Sequence, residues 1–277
     1  MRSWFRFLFS WPRRFVVSQT SFVAQLEWTA RSRCGARRDS DMLDPTRLPP
    51  AGYERKDRAD AVYGDAFLRC FEYLSGSKVE GDVLEFGVYQ GYTARLFALC
   101  LEYFKCPGTL RLYDSFEGLP QLDDPVDKTC YETAVSKTWV HRQMELPEGV
   151  DLHIRRALGQ VIEPERVVIV KGFFDETLAD NAPPIPAALI HIDCDLYAST
   201  STVLDFLLKN NLLVDGAVLL FDDFNCNRAN PEMGERRALR SSFAKQSTYT
   251  YSPWFSYGWH GMAFFVHRAD SGTSSHA

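Results

Sequence analysis

The sequence predicts an α/β fold built on a mostly parallel sheet, with its ligand chemistry gathered at one edge. Three observations carry this. Two short apolar runs, 189–192 (LIHI) and 217–221 (AVLLF), contain no turn residue, the pattern of strands buried on both faces of a sheet. The segment between them, 199–209, opens with Ser and Thr, stops at Asn210-Asn211 and carries Val203, Leu204, Leu207 and Leu208 on one helical face. Each apolar run then ends in acids, Asp193-Cys194-Asp195 after the first and Asp222-Asp223 after the second. A right-handed β-α-β crossover brings both sets of acids to the same sheet edge, which is where open α/β sheets bind ligands.

The length of 277 residues and 45% hydrophobic content allow one large α/β core, or two small domains at most. The expected division is a basic extension and linker over 1–58, one catalytic domain over 59–268 and a short tail over 269–277. Charge is unevenly spread: up to Arg38 there are eight Arg and one acid, Glu27, giving +7. A net charge of -5 overall therefore leaves -12 on the remainder, which argues against the folded domain binding nucleic acid. The first 24 residues are basic and aromatic, and three readings of them stand: a transit-like or membrane-surface segment, an unstructured tail, or a stretch upstream of the true start. No apolar run there approaches the ~18–20 residues of a membrane span, and Arg6, Arg13 and Arg14 interrupt any secretory signal. Seven Cys without a CxxC pair indicate neither a zinc site nor a disulfide framework, and fit a reducing cytoplasm.

In chain order, Asp44-Pro45 and Pro49-Pro50 mark an exposed arm. Apolar positions between 60 and 75 predict a helix that packs on the first strand and stops at Gly76. The stretch 81–93 (GDVLEFGVYQGYT) reads as strand, glycine-bearing loop and helix start. Glycine lets a ligand approach the backbone, and the helix N-terminus offers unpaired N–H groups, so this is a nucleotide-cofactor arrangement. Its E-x-G-x-x-x-G spacing differs from the G-x-G-x-x-G of dinucleotide binders. A second strand, 109–113, ends in Asp114, placed either to accept from ribose hydroxyls or to serve as a turn residue. The long polar segment 121–165 is read as a lid, with a helix around Lys137, Trp139, Arg142 and Met144. A third buried strand, 167–171, closes in 172–178 (GFFDETL). Beyond Asp223 come a polar loop at 225–235, a helix at 236–245 and an antiparallel hairpin around Gly258 and Gly261.

Asp193, Asp222 and Asp223 are hard oxygen donors able to converge from adjacent strand ends, a set that suits Mg²⁺. Single strand-end acids commonly just cap helices or turns. Four at two paired ends repel one another, and a cation relieves that cost. Asp195 is placed as general base toward a substrate hydroxyl, or as a cap for the following helix. His260, on the 258–261 turn, is the reserve base, whereas His191 inside its strand is expected to be a core histidine bonded to backbone. Cys194 between two acids should have a raised pKa and be a poor nucleophile. Residues 199–202 contain no nucleophile elbow, so a hydrolase triad has no support.

Taken together, VLEFGVYQGYTA, YDSFEGLP, KGFFDETL, LIHIDCDLYAST and GAVLLFDDF make the chain resemble the macrocin O-methyltransferase (TylF-type) family of S-adenosylmethionine-dependent methyltransferases. The resemblance implies a class I, Rossmann-like, mostly parallel seven-stranded sheet with helices on both faces and strand order 3-2-1-4-5-7-6. It also implies S-adenosylmethionine and Mg²⁺ as cofactors, and a sugar hydroxyl of a natural product as acceptor. Glu85, Gly87 and Gly91 would line the methionine part, Asp114 would hold the ribose, Ser115 and Phe173 would border the adenine, and Tyr89 and Thr93 would also contact the cofactor. Asp193, Asp222 and Asp223 match the family's metal ligands, and Asp195 its proposed base. The basic aromatic N-terminus has no counterpart in that pattern, and the long insert before Val167 puts a macrolide acceptor in doubt. Two rivals remain: a glycosyltransferase using Asp193-Cys194-Asp195 as a D-x-D motif, which leaves the 85–91 loop unexplained, and a non-catalytic methyltransferase-like binding protein. The sequence leaves homo-oligomerisation open.

Overall fold

The computed structural model describes residues 56–269. The extension up to residue 55 and the tail from 270 lie outside the described residues. Seven strands form one sheet in the order β3-β2-β1-β4-β5-β7-β6, as the family resemblance implied. The strands are β1 (Asp82–Phe86), β2 (Leu110–Asp114), β3 (Val167–Lys171), β4 (Ala187–Ile192), β5 (Leu213–Phe221), β6 (Tyr249–Tyr257) and β7 (Gly261–Arg268). The first five are parallel, and β7 runs antiparallel to both β5 and β6.

Helices α1 (Lys56–Ser77), α2 (Tyr92–Phe104) and α4 (Val150–Leu158) cover one face. The opposite face is covered by the short α5 (Phe174–Thr177), through Phe174, and by α6 (Tyr197–Lys209) and α7 (Gly234–Ala244). Helix α1 presents Tyr63, Phe67, Cys70, Phe71 and Leu74, and Phe67 stacks on Phe97 of α2 with centroids 4.1 Å apart. It runs through Gly76 rather than stopping there. The closing left-handed residue is Lys78 (φ 58°), after which the Val79 N–H returns to the Leu74 carbonyl at 3.0 Å. Strand β3 lies at the sheet edge, so it is half-buried where a fully buried strand was expected. Strand β5 begins four residues before its expected start, and the hairpin strands are longer than the expected segments.

The 121–165 insert departs most from expectation. No helix spans Lys137 to Met144: Lys137, Arg142 and Met144 all have positive φ, which an α-helix does not accommodate. This stretch instead lies against the exit of β2. Leu119 N–H donates to the Gln143 carbonyl, Arg142 N–H to the Leu119 carbonyl and Leu146 N–H to the Phe116 carbonyl, at 2.9–3.0 Å. Ahead of it come the short helix α3 (Pro125–Thr129) and one π-helical turn (Tyr131–Val135). A small third core collects Leu119, Cys130, Trp139, Leu196 and Cys226, one or two residues from each loop around the sheet edge.

Candidate active site

At the carboxyl ends of β1 and β4, where strand order reverses, the chain leaves a cleft of about 320 Å³. Five of the expected cofactor residues line it: Gly87, Tyr89, Asp114, Ser115 and Phe173. Gly87 has φ +88°, and a Cβ there would lie 1.8 Å from the Asp193 carbonyl oxygen. Its glycine therefore answers to the neighbouring strand end, rather than to ligand approach as the sequence suggested. Asp114 takes the turn role that was one of its alternatives, and it also lines the cleft. Its Oδ1 accepts the Phe116 N–H at 2.6 Å, a local turn, while Oδ2 accepts the Val88 and Tyr89 N–H groups at 2.6 and 2.8 Å. Two of roughly four carboxylate lone pairs thus hold the glycine loop and a third holds the local turn.

Glu85, Gly91 and Thr93 lie off the cleft wall. Gly91 is the left-handed N-cap of α2 (φ 77°), packed on Ile154. Glu85 is fully buried. Burial pushes its carboxyl up, against opposing contacts from His191 and Thr93.

On the other side of the cleft, one carboxylate oxygen each from Asp193, Asp222 and Asp223 falls within 4.8 Å of the other two. Asp195 (φ 60°) lines the cleft with Asp193. Loss of water and then mutual repulsion push Asp193, Asp195 and Asp223 well above the usual carboxylate range. Asp222 behaves oppositely. Burial would raise it too, but His191, His260 and Tyr63 outweigh that and hold it low. Tyr63 donates to its Oδ2 at 2.9 Å, while its Oδ1 has no hydrogen-bond partner among the described residues. All-oxygen donors, convergence and an orphaned buried oxygen together fit a divalent cation.

His260 is buried behind this cluster, its Nδ1–H donating to the Asp222 backbone carbonyl at 2.7 Å, and it does not line the cleft. His191 departs from its expected backbone role. Its Nδ1 pairs with Glu85 Oε1 at 3.1 Å, and its Nε2 faces Asp222 Oδ1 at 4.0 Å, a Coulombic contact rather than a hydrogen bond. Burial favours the neutral ring, yet these two acids outweigh it and raise the imidazole to about 10. The Cys194 thiol is raised as expected, by burial first and by neighbouring acids second.

Two acids escaped the sequence reading. Glu235, placed there in a polar loop, lies in α7 at 1% exposure and accepts the Asp223 N–H at 2.9 Å. Asp127 of α3 is buried against the start of α6, where it accepts the Tyr197 N–H at 2.7 Å and the Ala198 N–H at 3.0 Å. It takes the capping role proposed for Asp195, and α6 begins at Tyr197 rather than 199 because that cap comes from elsewhere. Beyond Asp223, Asn227, Arg228 and Ala229 are all left-handed (φ 55–56°). Glu132 accepts the Asn227 N–H at 2.8 Å, Asn227 Oδ1 accepts the Tyr131 N–H at 3.0 Å, and the Arg228 guanidinium lies 4.0 Å over the Tyr131 ring. The insert is thereby clasped to the loop that carries Asp222 and Asp223.

Residues 37–244 match the sequence profile of the macrocin O-methyltransferase (TylF) family. The chain belongs to that family. Among macrocin O-methyltransferase relatives, it is 29% identical over 172 residues to demethyldecarbamoylnovobiocin O-methyltransferase of Streptomyces niveus, covering 61% of this chain and 63% of that one. Mycinamicin III 3''-O-methyltransferase of Micromonospora griseorubida is 27% identical over 175 residues, 61% of this chain and 66% of that one. The chain thus spans just under two thirds of the length of each. In fold it is similar to the O-methyltransferase NovP, with TM-score 0.57, 22% identity and coverage of 74% of this chain and 79% of that one. The calicheamicin methyltransferase CalS11 aligns with TM-score 0.53 and 20% identity over 90% of this chain and 93% of that one.

Proposed function

We propose that this chain is an S-adenosylmethionine- and Mg²⁺-dependent O-methyltransferase acting on a hydroxyl of a small molecule, a sugar moiety of a natural product. The observation that carries the reading is a single cleft bounded by Gly87, Asp114 and Phe173 on one side and by Asp193 and Asp195, beside Asp222 and Asp223, on the other. Family membership and relatives named for methylating novobiocin- and mycinamicin-type compounds support the acceptor class. In this reading S-adenosylmethionine supplies a sulfonium methyl, and Mg²⁺ supplies charge that eases loss of the acceptor's proton.

The protein's own residues do the rest. The Asp114-held loop and Phe173 orient the donor, while Asp193, Asp222 and Asp223 hold the cation. Asp195, which lines the cleft beside Asp193, receives the hydroxyl proton. Holding both reactants at one strand edge removes the entropy of their encounter. Glu85, Gly91 and Thr93 support the loop from behind, and His260 orients Asp222. A reducing, cytosolic setting accords with six free cysteines among the described residues. Among those residues no helix is long and apolar enough to cross a membrane.

Calorimetric titration with S-adenosylhomocysteine, with Mg²⁺ and then with EDTA, tests the reading, with a sugar nucleotide as control. Micromolar binding of S-adenosylhomocysteine is expected. Absence of binding by the folded protein overturns the donor assignment. Asp222→Ala should abolish Mg²⁺-dependent turnover while changing S-adenosylhomocysteine affinity less than about threefold, and Asp114→Ala should weaken that affinity about tenfold or more. Equal loss of both affinities in either variant overturns the division into two subsites.

A further inference from the structure

Glu85 and His191 are register partners on β1 and β4, and both side chains are fully buried in the core face beneath α1 and α2. Nothing in the donor or cation subsites uses them directly. A buried ionisable pair at a core strand position is costly, and aliphatic residues of similar volume would commonly be neutral or stabilising there.

The imidazole is held firmly. Phe67 and Phe97 meet it edge-on at 5.6 and 5.5 Å, so the ring cannot turn without displacing the α1–α2 packing. One nitrogen pairs with Glu85 at 3.1 Å, two residues before Gly87, at the root of the glycine loop. The other faces Asp222 at 4.0 Å, about 1 Å beyond a hydrogen bond. Glu85 Oε2, His191 Nε2 and Asp222 Oδ1 are all buried with no hydrogen-bond partner among the described residues. A sub-ångström-to-ångström shift of either strand end makes or breaks the contact to Asp222.

We propose that His191 is a positioning residue that ties the setting of the glycine loop to that of Asp222, so that S-adenosylmethionine and the divalent cation each tighten the other's binding. This rests on the reading of the two subsites given above. Ordering the loop around the donor fixes Glu85, Glu85 fixes the ring, and the ring draws Asp222 Oδ1 into register while the carboxylate's remaining lone pairs stay turned to the cation. By linkage the two affinities must change by the same factor.

The test is a two-ligand calorimetric cycle on the full chain: S-adenosylhomocysteine titrated with and without Mg²⁺, and Mg²⁺ titrated with and without S-adenosylhomocysteine. The wild-type protein should show a mutual enhancement of about tenfold, within the usual range for coupled sites. His191→Leu should reduce it below about twofold. Glu85→Gln, which preserves volume and still meets the ring, should do the same if the leucine variant fails to fold. A purely structural role would lower thermal stability and both affinities while leaving their ratio intact. No enhancement in the wild-type protein, or an unchanged factor in the variants, overturns the proposal. Binding of neither ligand to the folded wild-type protein overturns the subsite reading, and the coupling with it.

Discussion

Asp127→Ala removes the only side-chain acceptor that the structure records at the start of α6. The preceding residue, Leu196, has no capping side chain, and the first turn of α6 contains no acid to substitute. Two N–H groups, those of Tyr197 and Ala198, lose bonds of 2.7 and 3.0 Å to a buried carboxylate. Loss of a cap costs about 0.5–2 kcal/mol. Removing a negative charge from a helix N-terminus costs about another 0.3–1 kcal/mol. Against this, burial has already pushed the Asp127 carboxyl upward, so its removal also relieves a desolvation cost. The net expectation is about 1.5 kcal/mol, or roughly 3–6 °C in melting temperature for a domain of this size. Differential scanning calorimetry of Asp127→Ala beside Asp127→Asn checks it, because the asparagine carbonyl keeps one acceptor and should restore about half the loss. A melting temperature for the alanine variant within about 1 °C of wild type would refute the argument that α6 depends on this distant cap.

Other perturbations act on the strand ends. Gly87→Ala forces a Cβ into the Asp193 carbonyl from a left-handed backbone; it should cost at least about 3 kcal/mol, and normal melting with intact S-adenosylhomocysteine affinity would show that the two strand ends can separate freely. Asp193, Asp195, Asp223 and Glu235 all titrate above their ordinary range, loss of water being the first cause in each. Such groups carry no penalty below an unfolded pKa of about 4, and a growing one as pH rises toward their raised folded values. Asp222, held low, contributes stability that is present above about pH 4 and lost as pH falls through its folded value. Glu85 and Asp127 are pushed up by burial as well, so with six raised acids against Asp222 the metal-free protein should melt at lower temperature as pH rises from about 4 to neutrality, and Mg²⁺ should reverse the trend; a rise with pH in EDTA would contradict it.

The parallel strands were legible because burial on both faces writes itself as a continuous apolar run, and the four aspartates because they directly follow two such runs. Glu235 was legible in principle. It falls on the same helical stripe as Ala238, Leu239, Ser242 and Phe243, all buried, so its register placed it inward even though its charge suggested solvent. Asp127 had no local signal, since its partners lie 70 and 71 positions away. The insert misled for a related reason: Trp139 and Met144 are five apart, off a single helical face, and their burial is supplied by a small core built from several loops.

That small core has a bearing on opening. It is separate from the two large clusters that flank the sheet, and it is assembled from the β2 exit, the insert, the Asp195–Leu196 turn and the loop after Asp223. A unit of so few apolar side chains can open as one piece at a free energy well below that of global unfolding. Amide hydrogen exchange should therefore find the 130–146 segment and the first turn of α6 exchanging together, ahead of β4 and β5. If the two segments exchange at unrelated rates, the rim of the cleft does not move as one body. If they exchange together, one event admits both donor and acceptor, and its rate bounds how fast product can leave.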